Sequence, residues 1–234
     1  MKENNKHEII VALDVPGFAD ARSAVSELGD AVSFYKVGLE LFISDGPAVL
    51  DMLRGEGKRI FLDLKLHDIP RTVERAVKSC VRYGVELLTI HAFGSVAMIE
   101  AAANAAQEAD SNTRILAVTM LTSLDKSDMD KLGINGTMEE RVVALGALAV
   151  GAGAGGLVCS PQEVLSLRKA VGKEPWLITP GVRPLGDGLG DQKRVATPAQ
   201  AIRDGATHLV IGRPIMEAAD KRKAALAIRA EMDA

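Results

Sequence analysis

Two acidic residues and a lysine interrupt an apolar run in the segment FLDLKLHDIPRTV, residues 61–73. They are Asp63, Lys65 and Asp68, and a buried charge is unfavourable unless it is paired. A lysine held between carboxylates stays protonated, so it can deliver a proton to a carbanion. A carboxylate beside it can oppose a substrate carboxylate and favour its departure as CO2. This pattern therefore indicates decarboxylation of a small molecule.

Further charged residues fall at the ends of two earlier apolar runs. Asp14 ends the first run, and Lys36 lies near the end of the second. Because side chains alternate along a strand, Asp63 and Lys65 should share one face, with Phe61 beneath them. The same alternation predicts that Asp14 and Lys36 point to the same interior, where the opposite charges can neutralise one another.

Simpler interpretations of the same residues stay open. Asp63 and Lys65 could form a purely structural ion pair, although several charged strand ends meeting at one place argue against it. Asp68 could serve only as the N-cap of a helix over 71–83, with Pro70 in the first turn.

An anion site is predicted in the last third of the chain. In the segment IGRPI, Gly212 and Arg213 precede a proline that opens the last helix, which would present backbone N–H groups and a guanidinium. The glycine-rich segment 180–198 reads as a mobile lid whose Arg183 and Gln192 could close over an anion, or as a solvated flexible loop. Such a site would hold the phosphate of the substrate.

These residues must be positioned by strands whose carboxyl ends meet. Short β-branched runs alternate with helical patterns such as 71–83, 95–109, 139–152 and 214–233. The runs are 8–14, 32–38, 59–65, 87–92, 114–120, 155–160, 176–181 and 208–212. Eight βα units in 234 residues predict an α/β fold, a (β/α)8 barrel of the TIM type, with an open doubly wound sheet as the alternative. We expect one domain over residues 1–234, with the site at the carboxyl ends of the strands.

Composition excludes several classes of protein. The formal net charge is −3 and aromatic residues are 3%, so neither a basic field nor stacking platforms favour nucleic acid binding. Cys80 and Cys159 show no CxxC spacing, which indicates reduced thiols in a cytoplasmic protein.

Residues 142–159 are uncharged, but their glycines favour a helix, a turn and a short strand over a membrane span. Gly151, Gly153 and Gly156 have the spacing of a dinucleotide-binding fingerprint, but that motif needs a strand before it and a helix after it. Here the predicted helix comes first and the strand follows, which argues against dinucleotide binding.

The histidines do not indicate a metal site. They are His7, His67, His91 and His208, and no two of them have the spacing HxH or HxxxH. His67 and His91 could approach each other across neighbouring strand ends, but Lys36 and Lys65 would oppose a dication there. We therefore expect no catalytic metal.

The chain resembles the orotidine 5′-phosphate decarboxylase family over essentially its whole length. The segment DLKLHDIPRTV resembles the D-x-K-x-x-D signature of that family. Further matching segments follow in the family's order: ALD at 12–14, YKVGLELF at 35–42, MLTS at 120–123, TPGVRP at 179–184, DQKRVATP at 191–198 and IGRPI at 211–215. The resemblance implies decarboxylation of orotidine 5′-phosphate to UMP in pyrimidine biosynthesis, with no cofactor and no metal.

The resemblance also implies a role for each residue. Lys65 would protonate C6 of the pyrimidine, Asp63 would face the substrate carboxylate, and Lys36 and Asp14 would hold the ribose hydroxyls. Asp68 and Thr72 would reach into the site of a neighbouring subunit and make a homodimer obligatory. The remaining residues would bind the pyrimidine (Thr122, Ser123) and the phosphate region (Pro180, Arg183, Gln192, Gly212, Arg213).

Two other functions fit parts of the pattern. The magnesium-dependent 3-keto-L-gulonate 6-phosphate decarboxylases resemble the chain at strand 3, but they have an acidic metal ligand where this chain has Lys36. The other alternative is a barrel that binds a nucleotide for regulation and has lost catalysis. The intact set of Asp63, Lys65 and Asp68 argues against it.

Overall fold

Eight parallel strands close into a barrel in the computed structural model, which describes residues 7–109, 112–184 and 196–233. Each strand pairs with its neighbours in chain order, and β1 also pairs with β8. The strands are β1 (Glu8–Ala12), β2 (Phe34–Val37), β3 (Arg59–Leu66), β4 (Leu87–His91), β5 (Arg114–Val118), β6 (Gly156–Val158), β7 (Trp176–Pro180) and β8 (His208–Ile211). The predicted (β/α)8 barrel is confirmed, and the open sheet is excluded.

Helices cover the outside of the barrel. They are α1 (Phe18–Leu28), α2 (Leu39–Asp45), α3 (Pro47–Gly55), α4 (Pro70–Cys80), α5 (Val96–Glu108), α6 (Lys126–Lys131), α7 (Met138–Gly151), α8 (Val164–Val171), α9 (Pro198–Arg203), α10 (Arg213–Met216) and α11 (Lys221–Met232). The apolar segment after residue 142 is a helix, a turn and a strand, as predicted. Within the described ranges, no helix is long and apolar enough to cross a membrane.

One predicted helix is wrong in its extent. The pattern over 214–233 indicated a single helix, but α10 ends at Met216 and α11 begins at Lys221. Asp220 is the N-cap of α11, and its side chain accepts a hydrogen bond from the backbone N–H of Lys223 at 2.8 Å. An aspartate competes well for free N–H groups, so it favours a new helix start over continuation.

Alternation along the strands divides the apolar residues into two cores. Phe34 and Phe61 belong to a cluster inside the barrel, whereas Tyr35 and Leu62, the next residue in each case, pack against the helices. The inner cluster is formed by Ile10, Ala12, Phe34, Phe61, Leu87, Leu116, Ile178 and Val210. It fills the barrel, so any polar site on the axis must lie above or below it.

A network of charged side chains lies at the amino-terminal ends of the strands. Arg59 donates to Glu86, the residue before β4, at 2.6 and 2.7 Å and to Glu8 of β1 at 2.5 Å. The ring of His208 lies 3.4 Å from Glu8 and stacks on Trp176, with ring centroids 4.5 Å apart. Because these residues lie on β1, β3, β7 and β8 and directly before β4, the network connects strands on both sides of β1.

We predict that Glu8→Gln destabilises the protein in a pH-dependent way. Hydrogen bonds from His208 and Arg59 lower the pKa of Glu8 from 4.5 to about 2. A carboxylate with a depressed pKa stabilises the fold above the pKa of the unfolded chain, and this contribution is lost as the pH falls from 4.5 towards 2. Urea unfolding should therefore show a loss of about 1–3 kcal/mol at pH 7, which shrinks across that interval.

The matched control is Glu74→Gln, because Glu74 forms an exposed pair with Lys78 one helical turn away. Exposed pairs of this kind contribute less than about 0.5 kcal/mol, so this variant should change little. A constant deficit for Glu8→Gln from pH 7 to pH 2 would contradict the prediction.

Candidate active site

Four charged side chains meet at the carboxyl ends of β1, β2 and β3, directly above the inner apolar cluster. The ammonium of Lys36 lies 2.9 Å from Asp14 Oδ1 and 3.6 Å from Asp63 Oδ2. The ammonium of Lys65 donates to both carboxylate oxygens of Asp63 at 2.8 Å. We call Asp14, Lys36, Asp63 and Lys65 the charged array. Its signs alternate and its formal charges cancel, which makes burial of Asp63 and Lys36 tolerable.

An irregularity in β3 gives Lys65 its position. β3 advances by four positions from Leu62 to Leu66 while β4 advances by only two, from Leu88 to Ile90, so β3 bulges there. Lys65 has φ of +50°, a left-handed conformation that is rare for residues other than glycine. Simple alternation predicted correctly that Lys65 shares a side with Asp63, but it did not predict the bulge. Backbone strain of about 1–3 kcal/mol is typical of such positions, which cluster at functional sites.

Thr89 connects the bulge to the charged array. Its hydroxyl donates to Asp63 Oδ1 at 2.9 Å and accepts the backbone N–H of Lys65, also at 2.9 Å. The side chain is fully buried. Thr89 is not among the site residues predicted from the sequence. A signal was present, because Thr89 shares the inward face of β4 with Leu87, and a polar residue at an interior position needs a partner.

Opposing influences act on the carboxyl group of Asp63. Burial alone would raise its pKa, but the charges of Lys36 and Lys65 and the hydrogen bonds from Lys65 and Thr89 outweigh burial. The pKa of Asp63 is therefore held below its ordinary value of 3.8. The side chain is an anion at neutral pH, enclosed by donors and cations.

Asp68 and Thr72 lie away from the charged array of their own subunit. Both residues are exposed, and Asp68 makes no ion pair with Lys36 or Lys65 in the described part of the chain. The Asp68 carboxylate accepts the N–H of the next residue, Ile69, at 2.7 Å. Ile69, not Asp68, is the N-cap of α4, so the helix-capping interpretation of Asp68 is wrong. Pro70 opens this helix, as predicted.

His67 and His91 approach each other beside the mouth of the barrel, with ring centroids 5.4 Å apart. Burial, followed by the nearby charges of His67 and Lys65, lowers the pKa of His91. No group of three or more histidine, cysteine, aspartate or glutamate residues that could hold a metal occurs in residues 7–109, 112–184 and 196–233.

A cavity of about 460 Å³ opens beside the charged array, between β1 and β8. Asp14 and Lys36 line it together with Arg183 and Arg213. Pro180 and Gly212 also line the cavity. The Nε atom of Arg183 is buried and has no hydrogen-bond partner among the described residues. The cavity thus joins a carboxylate–ammonium pair to two guanidinium groups and has room for a small anionic molecule.

The helix after β8 differs from the one expected. Pro214 does lie in its first turn, but α10 is only four residues long. A single turn has little macrodipole, so attraction of an anion there depends on backbone N–H groups and the guanidinium of Arg213.

Two of the remaining predicted ligand residues lie in a loop. Thr122 is half-buried and Ser123 is exposed, and both lie in the loop between β5 and α6. Gln192 and most of the predicted lid lie outside the described residues.

The closed barrel, with its charged residues at the carboxyl ends of the strands, belongs to the class of (β/α)8 barrels whose βα loops carry the site. Residues 7–228 match the family model described as "Orotidine 5'-phosphate decarboxylase / HUMPS family". The chain therefore belongs to this family, which confirms the resemblance noted in its sequence.

Individual relatives agree with the family match. The chain is 51% identical over 222 residues to an orotidine 5′-phosphate decarboxylase of Anaeromyxobacter sp. (strain K), with 95% of this chain and 96% of the relative covered. It is 48% identical to one from Moorella thermoacetica, covering 97% and 93%. The crystal structure of orotidine 5′-phosphate decarboxylase from Lactobacillus acidophilus superimposes with a TM-score of 0.87 at 37% identity, covering 97% of this chain and 100% of that one.

We predict that Thr89→Val disturbs Asp63 and Lys65 together, although valine keeps the shape of the side chain. Loss of the hydroxyl removes a hydrogen bond that lowers the pKa of Asp63, so that pKa should rise. It also leaves the Lys65 N–H without its partner, which should cost about 1–3 kcal/mol of stability. Hydrogen exchange at residue 65 should accelerate, and urea unfolding should measure the loss.

Thr89→Ser is the matched control, because it keeps the hydroxyl and removes only a methyl group. Its exchange rate at residue 65 should remain close to that of the unmodified protein. Equal exchange in the valine and serine variants would show that the hydroxyl does not hold the bulge.

Proposed function

We propose that this chain catalyses the decarboxylation of orotidine 5′-phosphate to UMP in pyrimidine biosynthesis. The observation that carries the proposal is the Lys65 ammonium, held at 2.8 Å by both oxygens of the buried Asp63 carboxylate, with Lys36 on the other side. Membership of the matching family supports the choice of substrate.

The reaction replaces a carboxylate on C6 of the pyrimidine by a proton. The bond between C6 and the carboxylate carbon breaks, CO2 leaves, and the electron pair stays on C6. Lys65 delivers its proton to that pair and regains one from solvent. No redox change is involved, and the proposal includes neither a cofactor nor a metal ion.

The charged array favours this step from both sides. The substrate carboxylate would lie beside Asp63, where repulsion between two anions is relieved only when CO2 leaves. Negative charge then develops on C6, next to the Lys65 ammonium. Electrostatic interactions are stronger at a partly buried site than in water, and the bulge and Thr89 fix the groups before the substrate arrives.

The cavity supports a position for the rest of the nucleotide. Lys36 and Asp14 would bind the ribose hydroxyls, with one donor and one acceptor already 2.9 Å apart. Arg183 and Arg213, with Pro180 and Gly212 beside them, would bind the phosphate region, and the unpartnered Nε of Arg183 fits an anionic ligand. Thr122 and Ser123 would lie at the pyrimidine, and Gln192 would add a phosphate contact. Phosphate binding far from C6 can then contribute to transition-state stabilisation.

We further propose that the enzyme is a cytoplasmic homodimer in which Asp68 and Thr72 complete the partner's site. Exposed apolar side chains surround these residues, since Ile69 and Phe93 are 67% and 47% exposed and Ile43 is 78% exposed. They follow the adjacent strands β2, β3 and β4, which places them on the side of the barrel where the strands have their carboxyl ends. Exposed apolar surface of this kind marks interaction sites. The free, buried thiols fit a reducing compartment.

Lys36 argues against the magnesium-dependent relatives. Its ammonium lies between Asp14 and Asp63, in the position where those enzymes would need an acidic metal ligand. A cation fixed there disfavours a dication at the same place.

The proposed activity is tested by following the absorbance of orotidine 5′-phosphate after the pure protein is added. Turnover should survive exhaustive treatment with EDTA. Activity that EDTA removes and magnesium restores would favour the metal-dependent alternative. Binding of UMP without turnover would favour a regulatory nucleotide-binding protein.

We predict that Lys65→Ala abolishes decarboxylation but keeps the fold and the binding of UMP. Proton transfer by a positioned group is typically worth about 10²–10⁴-fold, so kcat should fall by at least this factor. The fold should survive because Asp63 keeps Lys36 and Thr89 as partners. Lys173→Ala, at an exposed lysine just before β7, is the control and should keep full activity. Near-normal turnover in Lys65→Ala would remove Lys65 from its proposed role.

Arg213→Ala provides the contrast, because it alters binding instead of proton transfer. It should raise KM and lower kcat together, since a remote phosphate contact acts on both ground and transition states.

We predict that two inactive variants regain activity when they are mixed. Lys65→Ala and Asp68→Asn should each be nearly inactive as homodimers. After random subunit exchange, each heterodimer has one site with an intact Lys65 from one chain and an intact Asp68 from the other. Roughly a quarter of all sites should then be active. If exchange is confirmed by mass spectrometry and activity does not return, Asp68 acts in its own subunit.

A further inference from the structure

Gly38 follows β2 directly and is the N-cap of α2. Its carbonyl accepts the N–H of Phe42 at 3.0 Å, so it begins the helix through its backbone. Its φ of −93° and ψ of −175° can be adopted by any residue. Backbone freedom therefore does not explain a glycine at this position.

Space beside the charged array does explain it. A Cβ atom placed on Gly38 would lie 2.9 Å from the ammonium nitrogen of Lys36 and 3.4 Å from Asp14 Oδ1. The first distance is too short for a carbon–nitrogen contact, so the ammonium would have to move. Gly212, which follows β8 and lies on the other side of Asp14, differs, because a Cβ there would make only ordinary contacts, 3.6 Å from Ala12 Cβ and 3.7 Å from Asp14 Oδ2.

We propose that Gly38 is a positioning residue whose missing side chain fixes the Lys36 ammonium between Asp14 and Asp63. This inference rests on the proposed function, in which Lys36 binds the ribose and belongs to the charged array. The atom that a side chain would displace is the far end of a flexible lysine. A substituted protein should therefore fold normally and lose the lysine's position, with its 2.9 Å contact to Asp14 and its 3.6 Å approach to Asp63.

The first test compares Gly38→Ala with Gly17→Ala. Gly17 is the N-cap of α1 in an extended conformation, and a Cβ there would lie 3.5 Å from the nearest side-chain atom, on Asp45. Both variants replace a capping glycine by alanine, so any general effect of capping is shared. Gly38→Ala should weaken UMP binding about 10- to 100-fold, as expected for loss of a hydrogen bond to a charged group. Gly17→Ala should leave UMP binding and turnover unchanged.

A double-mutant cycle identifies the route of the effect. In a Lys36→Ala background there is no ammonium for the new methyl group to displace, so adding Gly38→Ala should weaken UMP binding no further. Equal losses in both backgrounds would overturn the proposal, because the methyl group would then act without Lys36. Gly38→Ser should keep the thermal stability, since serine caps helices well, and should still weaken binding.

A crystal structure of Gly38→Ala without nucleotide separates this inference from the proposed function. The Lys36 ammonium should leave hydrogen-bonding distance of Asp14, whatever reaction the protein catalyses. An ammonium that stays in place would overturn the role of Gly38. Failure of the unmodified protein to bind UMP or to consume orotidine 5′-phosphate would instead overturn the proposed function and leave the lysine's placement testable.

Discussion

The organisation of the barrel mouth depends on the buried carboxylate of Asp63. Removing a carboxylate from water costs several kcal/mol, and only close partners compensate for that cost. Here the partners are two ammonium groups and one hydroxyl, from Lys36 on β2, Lys65 on the same strand and Thr89 on β4. Three adjacent strands are thus held in register at their carboxyl ends by a single anion. The same contacts keep Asp63 ionised, so the stabilising requirement and the proposed chemical role coincide.

The inner apolar cluster separates two groups of charged side chains, one at each end of the barrel. Below the cluster, Arg59 connects Glu8 and Glu86 and joins strands that are far apart in the sequence. Above it, Asp14 and Lys36 of the charged array line a cavity. The buried inner cluster lies between them, so we expect substitutions in the array to leave the lower network intact. This division is typical of barrels, where stability depends on one end and chemistry on the other.

Much of this arrangement could be predicted from the sequence, because two repeating patterns in the sequence determine it. Alternation of strand and helix gave the barrel, and alternation along each strand brought Asp63, Lys65 and Lys36 to one side. Features that depend on packing between strands were not accessible in this way. The bulge at Lys65, the hydroxyl of Thr89 and the space kept free at Gly38 each depend on a neighbour distant in the sequence. The break before α11 was local, and Asp220 was a visible helix-start signal that the longer helical pattern obscured.

The strained backbone at Lys65 is best understood as a balance between two costs. A left-handed residue in a strand costs about 1–3 kcal/mol, whereas a buried charge that loses a partner costs about 3–5 kcal/mol. In the observed bulge, the Lys65 ammonium reaches both oxygens of Asp63, while its N–H turns to Thr89 instead of continuing the ladder. The better-paired carboxylate outweighs the strained residue. The irregularity in β3 therefore follows from placing an anion inside the barrel, and the same geometry holds the Lys65 ammonium against both oxygens of Asp63.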